Sequence, residues 1–407
     1  MQDILSGIYE IQQAYPRWVA PREIAAIVSR PLRWLFSYQG RVFLFSGLEE
    51  FMEEKKQIVK LILEDGIVFQ GNAFGAKRPV SGEVVFNTGM IGYPESLTDP
   101  SYFGQILVLT YPLIGNYGIP PRERENSLLK YFESEKIHIK GLIVTNYSEE
   151  YCHWNAEQSL SQWLEEYEIP GIYGVDTRKL TKKLRRNGTM FGNIIYDEDD
   201  AEIPKVKQYN AVKEVSVKKP ITYERGKKKV IIVDCGVKNS IVQAFLRRDI
   251  TVKLVPWDYN FLPEETGGII ISNGPGDPKQ CKETIEHVKQ AISRNIPLLG
   301  ICLGSQILGL SAGADTYKLK YGHRSQNQPC VEIGTNRCFV TSQNHGYVID
   351  SETLKQDWRE WFFNQNDHTN EGIIHMSRPF FGAQFHPEAS PGPDDTEFIF
   401  DMFLRLL

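Results

Sequence analysis

From Val230 onward the chain alternates short apolar runs with longer stretches of helical periodicity: Val230 to Val233, Ile250 to Val255, Gly268 to Ile271 and Ile296 to Gly300. Runs without polar alternation suit strands buried on both faces, and the helical stretches between them supply the cover. This half of the chain therefore predicts a mostly parallel sheet flanked by helices. Ligands in such sheets bind beyond the carboxyl ends of the strands, which directs attention to the loops after each run.

One of those loops holds Gly300-Ile301-Cys302-Leu303-Gly304, ahead of a helical pattern from Leu303 to Ser311. The spacing is that of the nucleophile elbow, G-x-S-x-G in serine hydrolases. There the outer glycines permit a strained turn and the central side chain projects clear of the backbone. Here the central atom is sulfur, and a thiol at a helix start feels the positive end of the dipole, which favours thiolate. The pentapeptide alone fits a small buried cysteine equally well. Phe385-His386-Pro387-Glu388, behind the apolar stretch from Phe380, tips the balance. A cysteine nucleophile needs a base, and histidine titrates near working pH. Glu388 can bond the far ring nitrogen and fix the tautomer, as the carboxylate of a triad does.

A second loop, Ser272-Asn273-Gly274-Pro275-Gly276-Asp277-Pro278, follows Gly268 to Ile271. Asp277 suits an N-cap and Pro278 a first turn, predicting a helix to about Arg294 with Ile285, Val288 and Ile292 on one face. Its bare backbone N–H groups could form an oxyanion hole, or the segment could be an ordinary strand-to-helix turn. G-x-G-x-x-G spacing is absent, so a dinucleotide site is a poor fit.

The amino-terminal half reads differently. Val59 to Leu63 and Ile67 to Phe69 flank Asp65-Gly66, a hairpin signal. Ser159 to Tyr167 places Leu160, Trp163 and Leu164 at helical spacing, and Leu180 to Leu184 begins another helix, giving a compact β-rich α/β domain over about 58 to 200. Asp197 to Lys229 turns polar and reads as linker and solvated surface. Before about residue 55, Trp18, Trp34, Phe36, Phe43 and Phe45 interleave with Arg17, Arg22, Arg30, Arg33 and Arg41, but the neighbouring Asp3, Glu10, Glu49 and Glu50 argue against nucleic-acid binding and organelle targeting. That segment reads as an upstream extension without a catalytic role, of the kind a misassigned start would produce, since Met52 lies just ahead of the hairpin segment. At the other end Phe398, Ile399, Met402 and Leu406 form one stripe over Thr396 to Leu406, a packing helix.

A net charge of −5 gives no reason to expect nucleic acid or an anionic membrane as partner. No run of about 18 apolar residues exists, so no transmembrane helix is expected. The six cysteines, at 152, 235, 281, 302, 330 and 338, show neither C-x-x-C pairs nor metal-finger spacing, so free thiols, a reducing cytoplasm and no metal site are expected.

Ser272 to Pro278, Gly300 to Gln306, Gln343-Asn344-His345-Gly346-Tyr347 and His386 to Pro393 together resemble the class I (triad) glutamine amidotransferase domain. Leu63 to Gly66, Gly82 to Thr88, Gly92 to Tyr102 and Gly174 to Thr181 resemble the amino-terminal domain of the carbamoyl-phosphate synthetase small subunit. The resemblance implies a fold of a β-rich α/β domain followed by the amidotransferase domain. The implied division is a non-family extension over 1–55, the small-subunit domain over 56–205, a linker over 206–228 and the amidotransferase domain over 229–407.

It implies Cys302 as nucleophile, His386 as proton shuttle and Glu388 as the group orienting it, with the oxyanion on the N–H groups of Gly274 and Leu303. L-Glutamine would be held by Ser101, Gly276, Gln306, Asn344, Gly346 and Tyr347; without the resemblance Ser101, Asn344 and Gly346 read as turn residues. His323 and His345 read as structural or surface residues. Ammonia would pass to a separate large synthetase subunit making carbamoyl phosphate for arginine or pyrimidine synthesis. No G-x-x-x-x-G-K-[ST] loop occurs, so no cofactor is expected in this chain, and ATP and magnesium are expected on the partner. Ser305, where many relatives carry histidine, and Gly322 to Pro329, which lacks the usual glycine-rich form, depart from the pattern and bear on rate and fine contacts. Rival readings are a glutaminase serving another ammonia acceptor, as in anthranilate or guanylate synthesis, and a non-catalytic regulatory subunit.

Overall fold

The computed structural model describes residues 35–38, 41–44, 57–196 and 210–407. It comprises two units, Met1–Lys56 and Gln57–Leu407. In the first, strands Leu35–Tyr38 and Arg41–Leu44 pair antiparallel. The aromatic and arginine pattern read before residue 55 otherwise falls outside the described residues, as does the polar stretch 197–209.

The second unit begins with a seven-stranded closed barrel. Around it run Gly141–Ile143, Pro170–Tyr173, Val68–Gly75, Ile58–Leu63, Met190–Ile195, Val80–Asn87 and Gln105–Leu109, the last pairing back to the first. The Asp65-Gly66 turn joins Ile58–Leu63 to Val68–Gly75 as an antiparallel hairpin, with Gly66 at φ +81°. Alternation sorts the faces of Ile58–Leu63: Val59, Leu61 and Leu63 point into the barrel core while Ile58 is exposed. Helix Thr177–Asn187 adds Leu180 and Leu184 to that core; it starts three residues earlier than the apolar spacing indicates, because the Asp176 side chain accepts from Lys179 N. Helix Leu160–Glu166 buries Leu160, Trp163 and Leu164 and is opened by a capping box between Ser159 and Gln162. Ser159→Ala removes one half of that reciprocal pair and is expected to lower stability by about 1 kcal/mol in denaturant titration.

The remainder builds a ten-stranded sheet. Its five central strands, in the order Thr251–Pro256, Lys229–Asp234, Gly268–Ile271, Leu298–Ile301 and Phe380–Ala383, are all parallel. Successive residues serve opposite faces. Val230, Ile232, Ile270 and Leu299 meet Phe245 of helix Asn239–Leu246 and Phe400 and Phe403 of helix Phe398–Leu404. Ile231, Val233, Ile269 and Ile271 meet Val288 and Ala291 of helix Lys282–Ser293 and Ile307 and Leu308 of helix Leu303–Ser311. Both faces are covered, which is why these strands lack polar alternation.

Several expectations change. The sheet is parallel only at its centre: Ile221–Tyr223 on one edge, and Asn370–His375, Trp358–Asn364, Asp315–Glu332 and Cys338–Asp350 on the other, are antiparallel. Those outer strands carry polar residues on one side, so they lack the apolar runs that mark the centre. The segment read as linker holds helix Ala211–Val215, with Val212 buried, as well as the edge strand Ile221–Tyr223. The carboxyl-terminal helix buries Ile399, Phe400 and Phe403, while Leu406 is exposed. Among the described residues no helix is long and apolar enough to cross a membrane.

Candidate active site

The loop after Leu298–Ile301 makes the sharp bend the glycines announce. Cys302 sits at φ +52° between that strand and helix Leu303–Ser311. A Cβ on Gly304 would stand 1.9 Å from the carbonyl oxygen of Ile271, and one on Gly300 would stand 2.5 Å from that of Gly304. Strand and helix backbones therefore pass too closely for any side chain, and the cysteine between them takes the strained positive φ. Its N–H donates to Ala383 O at 2.8 Å, tying the bend to the neighbouring parallel strand. The residue is 1% exposed, yet its sulfur is not sealed in hydrocarbon. The thiol donates to Asn344 O at 3.7 Å and receives Gln384 Nε2 at 3.7 Å, and Cys302 lines a cavity of about 130 Å³.

That cavity gathers the residues the sequence singled out for substrate: Ser101, Gly274, Gly276, Leu303, Gln306, Asn344, Gly346 and Tyr347. Ser101 comes from the barrel, the others from the sheet half. Asp99, to which the sequence assigned no role, fastens the two: its carboxylate accepts from Ser101 N at 2.8 Å and Asn344 Nδ2 at 2.9 Å, while Asn273 Nδ2 reaches Ser101 Oγ at 2.9 Å. Gly274 is forced by close approach, since a Cβ there would fall 2.0 Å from Cys235 O. Asp277 caps a single 3-10 turn, Pro278–Gln280, and the helix proper is Lys282–Ser293. Asn344 and Gly346 belong to the strand Cys338–Asp350; pairing with Arg324 of Asp315–Glu332 overrides the turn preference of Asn344, and Gly346 sits where the register between the two strands shifts. Gln306 Nε2 donates to Tyr347 O at 2.7 Å. Ser305 is fully buried against Gly382, its hydroxyl without a described partner.

The second member of the constellation is His386, whose backbone N–H donates to Ser342 O at 2.9 Å. Its Nδ1 meets Glu388 Oε1 at 2.6 Å, its Nε2 has no partner among the described residues, and the Cys302 thiol interacts with the ring. Glu388 Oε1 also accepts from Lys238 Nζ at 2.9 Å, and Lys238 donates in addition to Ala389 O at 2.8 Å. Burial pushes the imidazole toward its neutral form, but the Glu388 carboxylate outweighs this and raises its pKa to about 10, with Lys238 opposing. Burial likewise favours protonated Glu388; Lys238 and His386 reverse that and hold it at about 2. The buried ammonium of Lys238 is kept charged by Glu388 and Glu133 against its own desolvation.

Neither Lys238 nor Glu133 was found from sequence. Lys238 stands beyond the carboxyl end of strand Lys229–Asp234, so the strand-end rule was the available signal; Glu133 had none. Glu388→Gln keeps a hydrogen-bond acceptor on the ring but removes the charge. The His386 titration is then expected to move down by roughly 1–3 pH units, measurable by NMR of the ring protons; an unmoved midpoint would show that Glu388 is not what holds the ring protonated.

His323 and His345 are buried rather than superficial. His323 contacts Asp367 Oδ2 at 2.7 Å and Glu371 Oε1 at 3.1 Å, and His345 Nδ1 meets Tyr347 O at 3.0 Å. With Glu371 they form the one grouping of metal-ligand type found among the described residues, donor atoms lying within 4.8 Å of one another. Each of their ring nitrogens is already in a hydrogen bond.

A thiol on a strained elbow, a ring with one nitrogen anchored and the other free, and a cavity lined by backbone and amide groups can together support acyl transfer from an amide. Residues 231–406 match the family model described as glutamine amidotransferase class-I, and residues 61–194 match carbamoyl-phosphate synthase small chain, CPSase domain. The chain is 53% identical over 352 residues to multifunctional protein CAD of Squalus acanthias, covering 85% of this chain and 16% of that one. It is 46% identical over 385 residues to multifunctional protein pyr-3 of Neurospora crassa, covering 86% and 21%. Against the mitochondrial carbamoyl-phosphate synthase [ammonia] of Homo sapiens it is 45% identical over 380 residues, covering 92% and 25%. It thus spans a quarter or less of the length of these relatives.

Proposed function

We propose that this chain hydrolyses L-glutamine and supplies the ammonia for carbamoyl phosphate synthesis, a reading supported by the match of residues 231–406 to the class-I glutamine amidotransferase model and of residues 61–194 to the carbamoyl-phosphate synthase small-chain model. The observation that carries the reading is the Cys302–His386–Glu388 constellation, with the free Nε2 of the imidazole on the thiol side and the substrate cavity opening beside the sulfur.

In this reading the Cys302 sulfur attacks the side-chain amide carbon of glutamine while its proton resides on His386 Nε2. The carbonyl oxygen becomes an oxyanion received by the N–H groups of Gly274 and Leu303. Collapse breaks the C–N bond, His386 returns the proton to nitrogen, and ammonia leaves a γ-glutamyl thioester. Water, deprotonated by His386, then releases glutamate and restores the thiol. Glu388 stabilises the imidazolium, and Lys238 holds Glu388 ionised and in place. Ser101, Gly276, Gln306, Asn344, Gly346 and Tyr347 hold the amino-acid end. No step calls on a cofactor in this chain; ATP and magnesium act with bicarbonate on a large synthetase partner, whose product serves arginine or pyrimidine synthesis.

The small-chain domain over 61–194 favours this acceptor over anthranilate or guanylate synthesis, and the complete triad favours catalysis over a purely regulatory role. The cytoplasm is the proposed compartment, supported by six unpaired cysteines. Glutamate release from the purified chain, measured with and without a large ATP-dependent synthetase subunit, tests the whole. Stimulation by that subunit together with carbamoyl phosphate formation is expected, and no glutamate release under either condition would refute it.

A further inference from the structure

Strand Asp315–Glu332 places Arg324 directly across from Asn344, and its side chain lines the cavity that holds Cys302, Gln306 and Tyr347. The residue is 6% exposed. Nη1 donates to Tyr321 O at 2.8 Å, and Nε has no partner among the described residues. Nη2 lies beside Gly346, where a Cβ would come within 3.4 Å of it. No described carboxylate is paired with this guanidinium. Glu83 acts on it only through its field, because that carboxylate is taken by Gln105 Nε2 at 2.9 Å, Thr189 Oγ1 at 2.7 Å and Lys318 Nζ at 2.7 Å.

A buried cation without a counter-ion costs several kcal/mol, and folded proteins rarely keep one unless a ligand completes it. Arginine's planar fork matches a carboxylate, two N–H groups to two oxygens, better than it matches any neutral group. Cys302 and Arg324 line the same cavity of about 130 Å³. A molecule whose amide carbon sits at the sulfur therefore turns its other end toward Arg324.

We propose that Arg324 anchors the α-carboxylate of the amino-acid substrate and so selects glutamine over simple amides. The inference rests on the proposed glutaminase reading and adds a residue to it. Arg324 lies in Gly322 to Pro329, the stretch that departs from the glycine-rich family form.

The test compares L-glutamine with 4-aminobutanamide, the same molecule lacking the α-carboxylate, on the full chain and on Arg324→Met and Arg324→Lys. Hydrogen bonds to a charged group are worth enough that Arg324→Met is expected to lower kcat/KM for glutamine by roughly 10- to 100-fold. Its kcat/KM for 4-aminobutanamide should stay near the parent value, so discrimination between the two collapses. Arg324→Lys, which keeps charge and bulk, should lose part of the discrimination and carries the test if the Met variant does not fold. Equal losses on both substrates would mean Arg324 only supports the fold and would overturn the inference. Failure of the unaltered chain to hydrolyse glutamine at all would instead strike at the proposed function.

Discussion

Cys302→Ala is expected to reduce glutamine hydrolysis by three or more orders of magnitude while leaving the chain folded. The sulfur is the only nucleophile on the elbow, and members of such a triad act as a unit, so removing one forfeits nearly all of what the three achieve together. The residual rate would come from the Gly274 and Leu303 N–H groups acting on water. Folding should survive, because the thiol holds little in place: its two hydrogen bonds are both 3.7 Å long. The strain at φ +52° belongs to the backbone and is present in either residue. Glutamate release is the measurement, with a melting curve as control. A variant retaining a tenth of the parent rate would remove Cys302 from the chemistry.

Gly304→Ala should act through the fold. Its Cβ would stand 1.9 Å from Ile271 O and 2.5 Å from Ile271 C, both backbone atoms in the centre of the parallel sheet. A flexible side chain could swing aside, but a strand bonded on both edges cannot, so the helix carrying the elbow must lift off the sheet. Overpacking of an adaptable core costs about 1–3 kcal/mol; with backbone as the obstacle the loss is expected to reach about 3 kcal/mol or more. Denaturant unfolding and soluble yield would register it. A midpoint matching the parent would show that the helix and strand are not so closely apposed. Gly274 faces a similar obstruction at Cys235 O, 2.0 Å away, so the two substrate-side turns are constrained alike.

These two glycines illustrate how much was legible beforehand. The elbow could be read because strand, bend and helix are contiguous and each has a local signature: an apolar run, flanking glycines and a 3.6-residue period. The same holds for the Asp65-Gly66 hairpin and the helix after Ser159. His386 and Glu388 were legible as a pair because two residues along the chain suffice to bring ring and carboxylate together. The antiparallel strands at the sheet's margin were not, since residues such as Gln343 to Tyr347 carry polar side chains that resemble a turn until a partner strand is beside them. The carboxyl-terminal stripe was legible in part: Ile399 is buried and Phe398 and Met402 pack against the same core, but Leu406 is exposed, and the sheet beneath adds Phe400 and Phe403.

The chain's own order of residues determined the central parallel strands, the bend bearing Cys302 and the types of group available to a base and its orienting acid, all consequences of short-range sterics and of which faces must leave water. Tertiary structure alone decided that Lys238 would stand against Glu388, that Asp99 of the barrel would bridge to Asn344, and that Arg324 would face the cavity without a counter-ion among the described residues. The first two of these join residues 150 and 245 positions apart, and the third depends on which carboxylates other strands have already engaged. Buried charge is set by what lies across space, which no local pattern encodes.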